Sequence, residues 1–154
     1  MRIGISGSTG LVGRALAGEL VANGNIVVPV SRRGRRAPSD CVFLDEGVQE
    51  GSTLKALDGL DAFVNLAGEN IASGRWTEAR KKGIVESRVG FTRDICRALA
   101  AVDNPPRVVV SASAVGIYGD RGGELLDERS AVDDVPGAWG ADFLVGVCRR
   151  WEEA

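Results

Sequence analysis

Histidine does not occur in these 154 residues. Its absence excludes Ser-His-Asp and Cys-His catalysis within the chain, and any histidine-ligated metal site. Tyrosine occurs once, at Tyr118, and lysine only at Lys55, Lys81 and Lys82. The three cysteines, Cys41, Cys96 and Cys148, are far apart and form no C-x-x-C pair. Such an odd, scattered set reads as reduced core thiols of a cytoplasmic protein, not as a disulfide framework. No apolar run approaches the ~20 residues that cross a bilayer, and Met1 to Ser6 enters a strand pattern too early to leave room for a signal peptide. An excess of one charge is also missing. Nineteen Lys and Arg against 21 Asp and Glu give a net charge of −2, so no global basic field recruits nucleic acid. The expected partners therefore include neither nucleic acid nor membrane, and no metal is expected.

Glycine is what the chain has in excess, with 21 residues, about twice the usual share. No period of three accompanies it, so the reading is many tight strand-to-helix turns. Strand-like and helix-like segments alternate along the chain, which predicts an α/β fold with a doubly wound parallel sheet. Strands are expected at Arg2–Ser6, Ile26–Val30, Cys41–Leu44, Ala62–Leu66 and Val108–Ser111. Pro29 fits the second strand only near its end or at a bulge. Helices are expected at Leu11–Ala22 and Thr53–Leu57, and over a long stretch from an N-cap at Thr77 to about Ala101. Gly83 and Gly90 weaken that long helix. Residues 114 to 139 read as a long loop, and Phe143, Leu144, Val147, Cys148 and Trp151 form the stripe of a final helix. A doubly wound sheet normally continues to a sixth strand. The expectation is thus one dinucleotide-binding domain over residues 1–154, cut within its last helix and belonging to a longer protein.

Gly7-Ser8-Thr9-Gly10-Leu11-Val12-Gly13 lies between the first strand and the first helix. This G-x-x-G-x-x-G run is a close variant of the dinucleotide fingerprint. It calls for a tight turn at Gly7, backbone approach to a pyrophosphate at Gly10 and close helix packing at Gly13. The helix end, with its unpaired N–H groups, then holds the phosphates. An NAD site would place a carboxylate after the second strand; here Ser31-Arg32-Arg33 stand there. A guanidinium suits an adenosine 2′-phosphate, so NADP(H) is preferred over NAD(H). Arg35 and Arg36 read as a solvated basic loop.

Several runs together carry a resemblance over nearly the whole chain: Gly7 to Gly13, Asn65-Leu66-Ala67-Gly68-Glu69-Asn70-Ile71, Arg75-Trp76, Lys82, Ser87-Arg88, and Ser111 to Asp120. The chain resembles the sugar-nucleotide epimerase-like (NAD-dependent epimerase/dehydratase) branch of the extended short-chain dehydrogenase/reductase superfamily. The resemblance implies a Rossmann fold whose C-terminal substrate domain is missing here. It also implies that Ser31 and Arg32 meet the 2′-phosphate, that Leu66, Ala67 and Gly68 line the adenine-ribose side, and that Arg88 points toward the cofactor cleft. Self-association through the long and last helices is a further implication.

In that superfamily a tyrosine moves the proton, a lysine four residues on lowers its pKa, and a Ser/Thr hydroxyl polarises the carbonyl. Ser113 supplies the hydroxyl. Phe143 and Val147 stand where the tyrosine and lysine are expected, and neither moves a proton. Tyr118 is then the remaining candidate donor, with a packing or substrate-wall role as the alternative. Two functions follow. One is an NADP(H)-dependent reductase or epimerase acting on a carbonyl or sugar-nucleotide substrate, which a piece of this length is not expected to turn over. The other is a non-catalytic NADP(H)-binding sensor or partner-docking module.

Overall fold

The computed structural model describes residues 1–32, 38–44, 51–132 and 141–154. The sequence readings of Arg33, Arg35 and Arg36 lie outside these residues. Five strands form one parallel sheet: β1 (Arg2–Ser6), β2 (Ile26–Ser31), β3 (Val42–Phe43), β4 (Ala62–Asn65) and β5 (Val108–Ser111). Their order in space is β3-β2-β1-β4-β5. The chain winds outward from β1 to β3, then crosses back to β4 on the other side of β1. The carboxyl ends of β1 and β4 therefore flank the point where the winding reverses, which is where open α/β sheets form a ligand crevice.

The helices are α1 (Leu11–Ala22), α2 (Gly51–Leu57), α3 (Glu78–Val85), α4 (Phe91–Ala100) and α5 (Ala141–Glu152). The stretch expected as one long helix is instead α3 and α4 joined by a π-helical turn, Glu86–Gly90. Thr77 caps α3 as expected, its hydroxyl accepting from the Arg80 N–H at 3.3 Å. Within the π turn the Ser87 hydroxyl donates to the Ile84 carbonyl at 3.0 Å, a side-chain bond that competes with the helical ladder. Such turns are common where a helix serves a site. The long loop expected after β5 contains a 3₁₀ turn at Val115–Tyr118.

Phe63 on β4 is fully buried and packs with Leu57, Leu60, Phe91, Ile95 and Leu99 in the main core cluster. Gly4 on β1 makes room for it: a Cβ there would lie 2.6 Å from the Phe63 ring. Arg2 closes the opposite end of the sheet. Its guanidinium donates to the Asp58 and Ala56 carbonyls at 2.6 and 2.5 Å, at the C-terminal end of α2 where a cation is favoured. Pro29 pairs with Ile5 of β1, while β3 meets β2 only at Val30 and Ser31. Among the described residues the proline thus sits where β2 has a single neighbour, the edge-like setting in which a strand tolerates proline. Among the described residues β5 pairs with β4 alone, and Val108, Val109 and Val110 are each about half exposed.

The cysteines are all free, but they are not a core set. Cys148 is buried and Cys41 half-buried, whereas Cys96 is exposed because it falls on the outer face of α4. No described helix is long and apolar enough to cross a membrane, and no group of potential metal ligands occurs among the described residues.

Candidate functional site

β1 ends at Ser6 and the chain turns at Gly7, whose φ of 70° favours glycine. Space makes the same demand. A Cβ on Gly7 would stand 2.5 Å from the Leu66 carbonyl oxygen, and one on Gly13 would stand 2.2 Å from the Gly7 oxygen. Gly10 is different: its Cβ would meet only the Gly7 oxygen, at 3.2 Å. Gly10 is the N-cap of α1 with no side-chain cap, and the first turn of α1 carries no acidic residue. The opening N–H groups of α1 thus lack both intrahelical and side-chain acceptors and carry the positive end of the helix dipole.

Beside this turn lies a cleft of about 210 Å³. Gly7, Thr9, Ser31, Arg32, Ala67 and Gly68, all singled out from the sequence, line it together. Ser8, Gly10, Leu11, Val12 and Gly13 build the turn without lining it, and Leu66 underlies Gly7. Glu69, Ser87 and Phe91 also line the cleft and were not expected there as site residues. The Arg32 guanidinium carbon lies 5.9 Å from the centre of the Phe91 ring, within cation–π range. Ser87 and Phe91 reach the cleft because the π turn and the start of α4 face it, a placement no period in the sequence signals.

Arg88 is half-buried behind the cleft rather than on its lining. Its guanidinium donates to the Ile84 carbonyl, the Ser87 hydroxyl and the Glu69 carbonyl at 3.3, 3.4 and 3.2 Å. It also stacks on Trp151, 5.3 Å from the ring centre. Burial pulls its pKa below the ordinary value, against the raising influence of Cys148 and Glu69. It would touch a Cβ on Gly68 at 3.1 Å, so it props the 67–69 backbone from beneath.

Arg80 anchors the same loop from its other side. It pairs with Glu69 Oε1 at 2.9 Å and donates to the Asn70 carbonyl and the Ser73 hydroxyl. The Arg80→Met variant is expected to lose about 1–3 kcal/mol in urea melts, with faster amide exchange across residues 69 to 73. Unchanged exchange there would show that the loop holds its shape without the arginine.

A buried polar network underlies the crevice. The Ser6 hydroxyl donates to Asn65 Oδ1 at 2.6 Å and accepts from the Leu66 and Ala67 N–H groups at 3.1 and 3.2 Å. Asn65 Nδ2 donates to the hydroxyls of Thr92 and Ser111 at 2.9 and 3.2 Å. The Trp151 indole N–H reaches the Thr92 hydroxyl at 3.0 Å. An asparagine in the apolar strand Ala62-Phe63-Val64-Asn65 was the one sequence sign that such partners exist.

The two candidate catalytic hydroxyls are engaged separately. Ser113 donates to the Glu152 carboxylate, and Tyr118 donates to the Asp127 carbonyl at 3.0 Å. No hydrogen bond joins Ser113 to Tyr118 among the described residues. Phe143 packs edge-on against Trp76, with ring centres 5.6 Å apart, and Lys81 Nζ lies 5.8 Å from the Phe143 ring centre. Val147 is fully buried. Burial pushes the Cys148 thiol up, partly opposed by Arg88 and reinforced by Glu152, which keeps it protonated.

The profile of the NAD dependent epimerase/dehydratase family matches residues 3–136. The Bacillus subtilis epimerase family protein YfhF is 34% identical over 154 residues, covering 99% of this chain and 48% of that protein. A crystal structure of the human epimerase family protein SDR39U1 with NADPH superposes with a TM-score of 0.77 at 31% identity, covering 99% of this chain and 48% of that one. A nucleoside-diphosphate sugar epimerase from Corynebacterium glutamicum gives a TM-score of 0.73 at 36% identity, covering 99% of this chain and 30% of that one. The chain spans about half the length of the curated relatives it matches.

Proposed function

Because the chain belongs to the NAD dependent epimerase/dehydratase family, we propose that it binds a nicotinamide dinucleotide, NADP(H) in preference to NAD(H), and contributes the cofactor half of a reductase or epimerase. The substrate class is a carbonyl compound or sugar nucleotide. One observation carries this reading: Gly7 and Thr9, from the turn that leads into the uncapped start of α1, line the same crevice as Arg32. Room over Gly10 admits a pyrophosphate to the Leu11, Val12 and Gly13 N–H groups. Ser31 and Arg32 hold the 2′-phosphate, a charge-assisted pairing that an NAD site with a carboxylate would oppose. The NADPH found with the human relative supports the same choice.

When bound, the nicotinamide supplies or accepts a hydride. The chain's own part is to orient it and to handle the substrate oxygen. Ser113, just past the end of β5, polarises that oxygen by hydrogen bonding. Tyr118 belongs to the wall beside it, since its hydroxyl is directed to the Asp127 carbonyl. A small-molecule substrate, a homodimer and a cytoplasmic location complete the proposal.

Arg32→Asp tests the cofactor assignment. NADPH affinity should fall by about 1.5–3 kcal/mol, roughly 10- to 150-fold, while NADH affinity barely changes. Equal losses for both nucleotides in isothermal titration would reject the role of Arg32. A second reading, a non-catalytic NADP(H) sensor or docking module, is favoured by Phe143 and Val147, which are packed side chains with no proton to move. It requires that partner affinity differ with and without NADPH, and equal affinity would remove it.

A further inference from the structure

We propose that Glu152 takes the proton that passes through Ser113, so that a carboxylate from the last turn of α5 does the work for which Phe143 and Val147 are unfit. This inference rests on the reductase or epimerase reading above. The direct observation is the hydrogen bond from the Ser113 hydroxyl to Glu152 Oε1. These residues come from opposite ends of the last third of the chain, and only the docking of α5 brings them together.

Two inward-facing side chains fix that docking. Trp151 is buried and its indole N–H is tied to the Thr92 hydroxyl in the network beneath the crevice. One turn earlier, Cys148 packs over the 3₁₀ turn, its sulfur 3.7 Å from where a Cβ on Gly116 would stand. With Trp151 and Cys148 directed inward, Glu152 meets the segment leaving β5. That segment is aligned by the Ala112 N–H, which donates to the Asn65 carbonyl at 2.9 Å. Ser113 therefore follows directly on the sheet at its carboxyl edge, next to the end of β4. Ser113 and Glu152 are both exposed, so a substrate oxygen can reach the serine and the carboxylate can exchange its proton with water. Glu152 is a positioning and proton-accepting residue that acts through Ser113, without touching substrate itself.

In the oxidising direction a substrate carbinol gives its C–H hydride to an oxidised nicotinamide dinucleotide. Its O–H proton passes to Ser113 Oγ as the serine's own proton passes to the Glu152 carboxylate. The substrate C–O bond becomes C=O, and Glu152 then releases the proton to water. The reducing direction runs each transfer backward.

Glu152→Gln separates this role from a structural one, because a glutamine carbonyl still accepts from Ser113 but cannot take the proton. In the full-length protein, kcat with a carbonyl or carbinol substrate should fall about 100-fold or more. NADPH affinity and Tm should stay at wild-type values, and Glu152→Asp should recover part of the rate. A second readout is independent of turnover. In protein carrying ¹³C-carboxyl glutamate, the resonance that vanishes in Glu152→Gln should shift in Ser113→Ala. Wild-type rates in Glu152→Gln, or an unmoved resonance in Ser113→Ala, would overturn the relay while leaving the cofactor reading standing. A wild-type protein that binds NADPH yet transfers no hydride across a carbonyl panel would overturn the underlying reading, and the relay with it.

Discussion

Gly13→Ala is expected to cost about 3 kcal/mol of stability, the upper end of ordinary overpacking, and to abolish NADPH binding. The added Cβ would stand 2.2 Å from the Gly7 oxygen, 2.8 Å from the Ser8 Cα and 2.9 Å from the Gly7 carbonyl carbon. All three are backbone atoms, so no rotamer change relieves the contact. Either α1 moves away from β1 or the 7–10 turn opens, and each displaces the N–H groups proposed to hold the pyrophosphate. Gly18→Ala is the control. It lies in the same helix with nothing within 4 Å of its Cβ position, and it should gain up to ~1 kcal/mol from helix propensity. Urea denaturation and isothermal titration on both variants give the comparison. A Gly13→Ala protein with wild-type affinity would show that the phosphate turn tolerates a displaced helix.

Asn65→Leu is expected to lose roughly 2–4 kcal/mol, because it strands more than one buried polar group at once. Leucine keeps the branching of asparagine but is bulkier, so overpacking at this fully buried position adds to the loss. The fully buried Ser6 hydroxyl loses its acceptor, and the Thr92 and Ser111 hydroxyls lose a donor. The effect should reach the cleft. Ser6 also receives the Leu66 and Ala67 N–H groups, and Ala67 lines the site. NADPH affinity should therefore fall together with stability. Pairing the change with Thr92→Val should give a clearly non-additive sum, since the two residues share one network. Strict additivity in the double-mutant cycle would mean that the side chains act independently.

The readable parts of this fold share a cause. β1, β4 and β5 announce themselves as short apolar runs bounded by turn residues, and α1 follows a glycine-rich turn whose spacing has a steric meaning. Gly7 and Gly13 are needed for reasons that involve only a few neighbouring residues, so their roles survive in the linear text. Thr77 is similar, since a cap bonds to a residue three positions on. Boundaries shifted by a residue where the ladder ends, as at Asn65 rather than Leu66.

Other features were hidden because their causes are distant. The break between α3 and α4 was signalled only as weakness at Gly83 and Gly90. At the π turn Ser87 bonds back to the Ile84 carbonyl and Arg88 reaches the Glu69 carbonyl, the second of these from a distant part of the chain. Arg88 was expected to point toward the cleft; its contacts with Ile84, Ser87, Glu69 and Trp151, on separate parts of the chain, left no mark in the spacing. Cys96 was expected in the core, yet helical phase carries it outward.

The order of strands and helices, the steric need for glycine at the phosphate turn, and the absence of histidine chemistry were all present in the chain as written, since each depends on local spacing or on composition. Which side chains meet was not. The Asn65 network, the Arg32–Phe91 contact and the Ser113–Glu152 pair join residues from separate strands and helices, and such pairs exist only after the apolar faces of the sheet and helices have been buried together.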